Sequence, residues 1–387
     1  MTPTLKISAV QVLGLGCLGA ALGGWLKRRI PLLDRLNIPA PIAGGLVYAL
    51  AALALHDRVV NFEADTVLRD LFQVAFMTTI GLSARVELLR RGGLGMIWFL
   101  AIASFGAVLQ NLVGMGVARV MGADIRLGIL AGSVALAGGP ATSLAFGSTF
   151  EKMGVEGATT VAFASATFGI ATAGLIGGYI GGRIIRRHKL KPAASEGRSP
   201  ELQAETHGSL ATTVMVLGIA MGLGSVVSAG FERMGLILPV YIGSMIVAAV
   251  IRNMNVVDIA QPEVDACGRV ALYLFIVTAL LTLRLWELAH LALPMLAILA
   301  AEVALCWLMC VTLSFRGMGR DYESGVMAAG FCGFMLGITA NAVACMEELV
   351  EKYGPAPRAF LIVPVVGAFL IDFTNSVIIT AFANIWR

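Results

Sequence analysis

One stretch of small residues determines the topology of this chain, and it reads Leu127-Gly-Ile-Leu-Ala-Gly-Ser-Val-Ala-Leu-Ala-Gly-Gly-Pro-Ala-Thr-Ser-Leu-Ala-Phe-Gly-Ser-Thr149. Gly138, Gly139 and Pro140 lie at its centre, where a helix loses both stiffness and a backbone hydrogen-bond donor. A second stretch rich in small residues covers residues 324–346. Each stretch is either one kinked membrane span or two half-helices that enter the membrane and return to the same side.

The distribution of basic residues separates these two interpretations. If both stretches are re-entrant, each half of the chain has five spans, and this odd number inverts the second half relative to the first. Most Lys and Arg residues, including the cluster from Arg183 to Lys191, then lie in cytoplasmic loops, as the positive-inside rule requires. If both stretches span, that cluster moves outside. We therefore expect two re-entrant hairpins, with both termini in the periplasm.

The two halves of the chain repeat each other at an offset of 199 or 200 residues. The recurring pairs are Ile38-Pro39 with Leu238-Pro239, Leu82-Ser-Ala-Arg85 with Leu281-Thr-Leu-Arg284, and Glu151-Lys-Met-Gly154 with Glu351-Lys-Tyr-Gly354. Fixed-period similarity in an apolar chain indicates internal structural repeats. In membrane proteins such repeats are typical of secondary transporters, which hold the substrate where the repeats meet.

The composition is that of a polytopic membrane protein. Hydrophobic residues make up 58% of the chain and charged residues 13%, and the mean hydropathy is +0.85. This leaves too little polar surface to cover a water-soluble protein. No basic face supports nucleic-acid binding, and the chain has no His-Glu-x-x-His or Gly-x-Ser-x-Gly motif of an enzyme. We expect an all-α transporter that is not an enzyme and has no organic cofactor.

The six cysteines and four histidines show no metal-binding spacing. The cysteines lie within or beside apolar segments without a Cys-x-x-Cys pair, and we interpret them as small packing residues. The histidines fall in loops or near the ends of spans, so we expect no metal site from them.

The apolar segments predict two repeats joined by a polar linker. We expect an N-terminal repeat at residues 1–187, a cytoplasmic linker at 188–207 and a C-terminal repeat at 208–387. A span needs about 20 apolar residues. The expected spans are residues 5–26, 38–55, 71–90, 94–118 and 158–182, then 208–229, 236–251, 270–288, 291–315 and 359–384, with re-entrant hairpins at 127–149 and 324–346.

The tips of the two hairpins are the expected substrate site, because irregular backbone at membrane depth is tolerated only where it is buried or lines a cavity. A half-helix that restarts near Pro140 offers free N–H groups and a positive dipole end to a carboxylate. At the second tip, Gly333 and Gly337 are expected to loosen the backbone. The predicted substrate-binding residues are Gly138, Gly139, Thr142, Ser143, Gly333, Thr339 and Asn341. The alternative is that the glycines only allow close helix packing.

Asp372, near the middle of the last expected span, is the main candidate for binding a cation. A carboxylate at the bilayer centre costs at least about 2.5 kcal/mol, so it usually has a partner or a function. Asn375 and Ser376 share its helical face, and clustered oxygens suit a hard cation such as sodium. The predicted cation-binding residues are Asp372, Asn375, Ser376 and Thr79. The alternative is a structural, hydrogen-bonded role for Asp372.

Two further observations concern polar residues within spans. The repeat offset places the counterpart of Asp372 near Ala173 and Gly174, so this charge is not part of the repeat. Other polar residues within expected spans are Thr78, Gln110, Asn111 and Glu302. Membrane Gln and Asn residues often only join helices.

A series of motifs in order resembles the bacterial sodium:glutamate symporter family. They are the Pro-x-Pro-x-x-Gly-Gly-Leu run from Pro39 to Leu46, Thr79-Ile-Gly-Leu82, Gln110-Asn111, Leu130-Ala-Gly-Ser133, Arg284-Leu-Trp-Glu-Leu288, Leu293-Pro-Met-Leu-Ala-Ile-Leu299, Cys332-Gly-Phe334 and Val363-Pro-Val-Val-Gly-Ala-Phe369 with Ile371-Asp372. The chain departs from the family at both tips. Pro140-Ala141 stands where the family usually has His-Gly, and Thr339-Ala-Asn341 stands where it tends to have Thr-Pro-Thr.

The resemblance implies an inner-membrane homodimer, in contact with lipid, that has inverted five-span repeats and works as an elevator. It also implies sodium as the coupling ion and glutamate as the substrate. We therefore expect a sodium-coupled symporter for glutamate or a related small carboxylate, working by alternating access. The alternative is a proton- or sodium-coupled carrier of another carboxylate, such as a hydroxy acid.

Overall fold

The computed structural model describes residues 3–35, 38–192, 209–233, 241–254, 257–286 and 291–386. Within these ranges, the side chains of residues 34–35, 86–92 and 369 are not described. Most of the expected linker at 188–207 lies outside the described residues, as does the repeat motif Leu238-Pro239.

Helices make up most of the described chain. In the first half they are α1 Ala9–Arg29, α2 Pro31–Arg35, α3 Ala40–Leu55, α4 Val67–Ser83, α5 Val86–Val120, α6 Arg126–Ile129, α7 Gly139–Lys152 and α8 Ala158–His188. In the second half they are α9 Leu210–Arg233, α10 Tyr241–Met254, α11 Gln261–Leu281, α12 Ala292–Met309, α13 Phe315–Gly317, α14 Tyr322–Met335, α15 Thr339–Tyr353, α16 Pro357–Val365 and α17 Ile371–Ile385. Three segments of the described residues are π-helical: Leu130–Val134, Cys310–Ser314 and Val366–Leu370.

The described helices are those of a multi-pass membrane protein. Six segments are long and apolar enough to cross a membrane: Ala9–Arg29, Gly93–Val120, Ala158–His188, Leu210–Arg233, Gln261–Leu281 and Leu291–Gly317. α16 and α17 form a further candidate, bent by 42°, and α3 and α10 are shorter apolar helices. Large apolar side chains on these helices are exposed, for example Leu94 at 84% and Val226 at 70%. Such surfaces suit contact with lipid.

The chain divides into two compact units. The first comprises Met1–Ala84, Leu144–Thr160 and Ala204–Ala292. Within it α1 packs against α3 and α11, and α4 packs against α10 and α11. A Cβ added to Gly44 would lie 1.8 Å from the Gly19 carbonyl oxygen, so α1 and α3 touch backbone to backbone. Small residues allow this approach, which is how membrane helices commonly pack.

The second unit comprises Arg85–Ser143, Val161–Gln203 and Leu293–Arg387. Within it α5 packs against α6, α16 and α17, and α14 packs against α15 and α16. Phe99, Phe331 and Phe334 meet edge to face near its centre, with ring centroids 5.5 to 6.0 Å apart. All three rings are buried. This unit contains the whole of the second interrupted stretch. It contains the first stretch only as far as Ser143.

The prediction of an all-α chain is wrong at one place. Residues Thr4–Ile7 (β1) and Asn61–Ala64 (β2) form a two-stranded parallel ladder, with Thr4 opposite Asn61. The first helix therefore begins at Ala9, capped by Ser8, rather than at residue 5. The apolar Leu5 and Ile7 extend the helical pattern in sequence, but their backbone groups pair with the second strand instead. A further difference is that α11 begins nine residues before the expected span, with Pro262 in its first turn.

Both predicted interruptions are present as breaks in the helices. In the first stretch a π-helical segment ends at Val134, and α7 begins at Gly139. In the second, α14 ends at Met335 and α15 begins at Thr339. Gly333 does not loosen the backbone as expected, because it lies inside α14, and its assignment to the substrate site stays a prediction. A Cβ there would lie 2.4 Å from the backbone of Ala342, so Gly333 lets α15 pack closely.

Candidate functional site

The two interrupted stretches meet where their second helices begin. Gly139, the first residue of α7, has a positive φ of 67° that favours glycine. A Cβ at Gly139 would lie 3.2 Å from Ile338 Cγ2 and 3.6 Å from the Gly337 carbonyl oxygen. Ile338 is the N-cap of α15. Two helix N-termini, each with a positive dipole end, therefore lie side by side.

The first stretch is held at Ser133 by two amide side chains. The Ser133 backbone N–H donates to Asn111 Oδ1 at 3.1 Å, and Asn375 Nδ2 donates to the Ser133 carbonyl at 2.9 Å. Ser133 lies in the π-helical segment, where the ordinary i to i−4 hydrogen bonds are displaced. All three residues are completely buried. We call this set of Asn111, Ser133 and Asn375 the polar crossing.

The second stretch is held by three side-chain hydrogen bonds to neighbouring segments. Gln110 Nε2 donates to the carbonyl of Met335, the last residue of α14, at 2.9 Å. Asn341 Nδ2 donates to the Ile170 carbonyl of α8 at 2.8 Å. Thr339 Oγ1 donates to the Gly367 carbonyl at 2.7 Å. The C-terminus of α14 and the N-terminus of α15 are thus bonded to different elements. This stabilises the interruption between the two helices.

Several buried polar atoms around these contacts have no hydrogen-bond partner among the described residues. They are Gln110 Oε1, Asn111 Nδ2, Ser133 Oγ, Asn341 Oδ1 and Asn375 Oδ1. A buried polar atom left unpaired costs about 1 to 3 kcal/mol, and a group of them needs an explanation. Four of the five are oxygens, the donor type that hard cations prefer. The arrangement can bind a cation through oxygens and an anion through helix N-termini.

The four predicted cation-binding residues do not form one cluster: three lie in the second unit and Thr79 lies in the first. Asn375 belongs to the polar crossing, whereas Ser376 Oγ donates to its own helix, at the Asp372 carbonyl, over 2.8 Å. The Asp372 side chain lies one helical turn before Asn375 and is partly exposed. Thr79 belongs to the first unit, where its hydroxyl donates to Phe76 and faces Gly268.

The predicted substrate-binding residues of the first tip lie close together at the start of α7. A Cβ on Gly138 would lie 2.6 Å from the Thr142 side chain. Ser143 Oγ is 3.5 Å from the Val134 carbonyl, which closes the loop between the π-helical segment and α7. Thr142 and Ser143 are buried, with exposures of 5% and 0%. Both hydroxyls belong to the first five residues of α7, near its N-terminus.

From the sequence, Gln110 and Asn111 are weaker site candidates with helix joining as the alternative, and Ser133 appears only as part of the motif Leu130-Ala-Gly-Ser133. The sequence gives little indication of a role for Ser133, since it is one small polar residue in an otherwise apolar segment. Ser133 matters through its backbone N–H and carbonyl, which are available because the segment is π-helical. The identity of a residue does not show whether its backbone groups are available.

One electrostatic feature lies just before the first stretch, outside the spans. Arg126 Nη2 contacts Asp124 Oδ2 at 2.6 Å, and this guanidinium holds the pKa of the Asp124 carboxyl below its usual value. The Asp124 carboxylate also accepts from the Arg126 backbone N–H. The pair fixes the start of the helix that leads into the stretch.

A cavity of about 530 Å³ lies elsewhere, within the first unit. Its lining includes Arg69, Arg284, Glu63 and Glu151, and the stacked rings of His56 and Trp286. Charges of both signs line it, but it contains none of the predicted site residues. The candidate site is therefore assigned to the convergence of helix starts and unpaired amides rather than to this cavity.

Comparison with known proteins gives a consistent result. A family model described as sodium/glutamate symporter matches residues 5–355. The chain is 38% identical over 375 residues to a sodium/glutamate symporter of Escherichia coli (strain K12), covering 92% of this chain and 93% of that protein. It is 34% identical over 388 residues to one from Haemophilus influenzae, covering 96% of each. A solved sodium proton antiporter from Methanocaldococcus jannaschii is 16% identical, with a TM-score of 0.44, covering 97% of this chain and 98% of that one.

Proposed function

The chain belongs to the sodium/glutamate symporter family, and from this premise we propose that it takes up glutamate, or a closely related small carboxylate, together with sodium ions. Transport proceeds by alternating access. The relatives at 34% and 38% identity are sodium/glutamate symporters over nearly their whole length, and this chain aligns with them over nearly all of its own.

One observation carries this proposal: the starts of α7 and α15 meet at Gly139 and Ile338. The candidate substrate has carboxylates, and the predicted site has no Lys or Arg to bind them. Two adjacent helix N-termini supply the positive potential instead. The hydroxyl of Thr142 adds a neutral donor, and sodium bound alongside offsets the negative charge.

The coupling cation is proposed to bind through the oxygens beside the polar crossing. Asn375 Oδ1 and Gln110 Oε1 are buried and unpaired among the described residues. Asp372, one turn away from Asn375, supplies the negative charge that a sodium ion requires. Its proposed role rests on this position and on its depth in the last helix pair.

Sodium can supply enough free energy for uptake. A membrane potential of 100 mV contributes about 2.3 kcal/mol per positive charge. A tenfold sodium gradient contributes about 1.4 kcal/mol. Together they give about 4 kcal/mol for each sodium ion. Bringing in the net negative charge of glutamate costs about 2.3 kcal/mol at the same potential, so two sodium ions leave about 5 kcal/mol, enough for a glutamate gradient of more than about a thousandfold.

The proposed architecture is an inner-membrane homodimer with two inverted five-span repeats at residues 1–187 and 208–387, joined by a cytoplasmic linker at 188–207. Both termini are then periplasmic. The mechanism is an elevator, in which a transport domain slides against a dimerising scaffold. Single cysteines introduced in the linker of a cysteine-free variant should resist an impermeant thiol reagent in intact cells. Rapid labelling from the periplasm would contradict the inverted repeat.

The alternative substrate is another small carboxylate, such as a hydroxy acid, coupled to sodium or protons. The observation that favours it is the tip sequence Pro140-Ala141, which lacks an imidazole donor and one backbone N–H. The remaining groups favour an anion without selecting the length of glutamate.

Uptake into proteoliposomes tests the proposal directly. We expect labelled glutamate to accumulate when sodium is high outside, and to equilibrate only when sodium is equal on both sides. A proton gradient without sodium serves as the control for the coupling ion. Accumulation driven by protons alone, or of hydroxy acids in preference to glutamate, would replace this proposal with the alternative.

A further inference from the structure

Three cysteine thiols meet in the interior of the second unit. The Sγ atoms of Cys306, Cys310 and Cys332 all lie within 4.8 Å of one another. Each residue is completely buried. Cys306 is in α12, Cys310 begins the following π-helical segment, and Cys332 is in α14. We call these three residues the thiol cluster.

The backbone explains why the three sulfurs converge. Cys306 and Cys310 are four residues apart, so their side chains lie on one helical face. The π-helical segment Cys310–Ser314 starts at the second of them, and π-bulges are found frequently at functional sites. α14 packs against this segment and contributes Cys332. Packing alone does not require three sulfurs at one point.

The chemistry of the cluster selects a soft metal ion. Thiolates favour Cu(I), zinc and iron–sulfur clusters over hard cations. An iron–sulfur cluster needs four cysteines, and structural zinc is bound by four ligands. The described residues supply three thiols here, and no other His, Cys, Asp or Glu joins the group within that distance. Three sulfurs in a compact triangle fit a three-coordinate Cu(I) ion.

The surroundings limit the charge that the site can hold. The buried rings of Phe331 and Phe334 flank Cys332 in sequence and pack against each other. The carboxyl of Glu302, one helical turn before Cys306, is also buried, and any further net charge is costly in a buried site. One Cu(I) ion that displaces one thiol proton leaves the site neutral, with one thiolate and two thiols as ligands. The proton leaves to the buffer, and no atom is oxidised or reduced.

We propose that Cys306, Cys310 and Cys332 form a binding site for a single Cu(I) ion, which links α12 to α14. The site is separate from the proposed sodium and glutamate site and does not depend on it. Copper in its reduced form is the ligand because its softness, charge and coordination number match the three thiols.

The test uses the purified full-length protein, reduced and kept free of oxygen in detergent. Cu(I) is added in competition with a chromogenic chelator, and the bound ion is counted per chain. We expect one tightly bound Cu(I). Serine at position 306, 310 or 332 should weaken binding by more than the 10- to 100-fold or so that loss of an outer-shell partner typically costs.

The matched control carries Cys17→Ser, Cys267→Ser and Cys345→Ser together, and it retains only the thiol cluster. Cys345 is the informative member, since it is also in the second unit and its thiol lies 3.6 Å from the Ala173 carbonyl. This variant should still bind one Cu(I) with unchanged affinity. Zn(II), added under the same conditions, should bind more weakly than Cu(I).

X-ray absorption of the copper-loaded wild-type protein tests the ligand set without any substitution, so it remains decisive if the serine variants fold poorly. It should show three sulfur neighbours. The proposal fails if the wild type binds no Cu(I), if Cu(I) has nitrogen or oxygen neighbours, if folded cluster variants bind as tightly as wild type, or if Zn(II) is preferred.

Discussion

The polar crossing and the thiol cluster occupy equivalent positions in the two halves of the sequence. At the 199-residue offset, Asn111 corresponds to Cys310 and Ser133 to Cys332. In the first half the pair is an amide bonded to a backbone N–H at 3.1 Å. In the second half the pair is two thiols. The same crossing of a helix with an interrupted stretch is therefore built twice, from different chemistry.

From this difference we expect the polar crossing, rather than the thiol cluster, to take part in transport. The polar crossing leaves Asn111 Nδ2 and Asn375 Oδ1 unpaired, so it retains capacity for a ligand. Asn375 has no polar counterpart in the first half, where the offset leads to Leu175 or Ile176. An acid lies one helical turn from each crossing, Asp372 in one case and Glu302 in the other. The following experiments compare the two.

The largest effect is expected for Asn375→Leu. This change removes the hydrogen bond from Asn375 Nδ2 to the Ser133 carbonyl, which still accepts from the Gly138 backbone N–H at 2.9 Å, and it removes an open oxygen. Together these losses cost about 2 kcal/mol, equivalent to a reduction in sodium-driven glutamate uptake of about 30-fold. The matched change Cys310→Ala should leave uptake within about twofold. Initial rates in proteoliposomes, corrected for the amount of folded protein, give both values. Equal losses in the two variants would remove the functional distinction between the crossings.

Asp372→Asn should change the sodium dependence specifically. Loss of the charge should raise the sodium concentration for half-maximal uptake by at least about tenfold, or 1.4 kcal/mol. Glu302 is also buried with both carboxyl oxygens unpaired among the described residues. Glu302→Gln, its matched control, should shift the sodium constant by less than about threefold. If Glu302→Gln shows the larger shift, the cation lies beside the thiol cluster.

Thr142→Val tests the tip of the first stretch. The valine has the same shape but no hydroxyl, so we expect the half-saturation constant for glutamate to rise about fivefold, or about 1 kcal/mol. The constant for sodium should change by less than about twofold. Pro140→His combined with Ala141→Gly should change the order in which glutamate, aspartate and related acids compete. Parental constants and parental order in both variants would exclude the tip from the substrate site.

The smallest effect concerns stability. Ser133→Ala removes a hydroxyl that has no partner among the described residues, so the thermal midpoint should stay within about 1 °C. Its counterpart Cys332→Ala removes a buried sulfur and leaves a small cavity, which should cost about 2 kcal/mol and, in a chain of 387 residues, lower the midpoint by about 2 °C. Thermal unfolding in detergent, followed by intrinsic fluorescence, measures both. A greater loss for Ser133→Ala would mean that its hydroxyl is structural.

Much of the fold could be predicted from the sequence. Gly138, Gly139 and Pro140 disfavour a continuous helix by themselves, so the break before α7 follows from residue type. Membership of the family followed from motifs spread along the chain. The deviation of Gly333 from its expected role has a physical cause. Glycine both loosens a backbone and allows close approach, and only the position of Ala342 shows which effect operates.

The candidate site was less predictable because its main contacts join distant segments. Asn375 contacts Ser133 across 242 residues, and the contact is to a backbone carbonyl, which carries no sequence signal. The six cysteines are interpreted from the sequence as packing residues, and although Cys306 and Cys310 are four residues apart, nothing in the sequence indicates that Cys332 approaches from α14. Spacing rules find ligands only within one element.

The short parallel ladder has a consequence for how the chain enters the bilayer. β1 precedes α1, and β2 follows α3, yet the two strands are hydrogen-bonded to each other. Residues 7 and 61 must therefore be on the same face of the bilayer, so the number of crossings between them is even. α1 crosses once, and α3, although only 16 residues or about 24 Å long, has to cross back. The two strands can pair only after both α1 and α3 have inserted into the bilayer. Their hydrogen bonds then hold the adjacent ends of these two spans together.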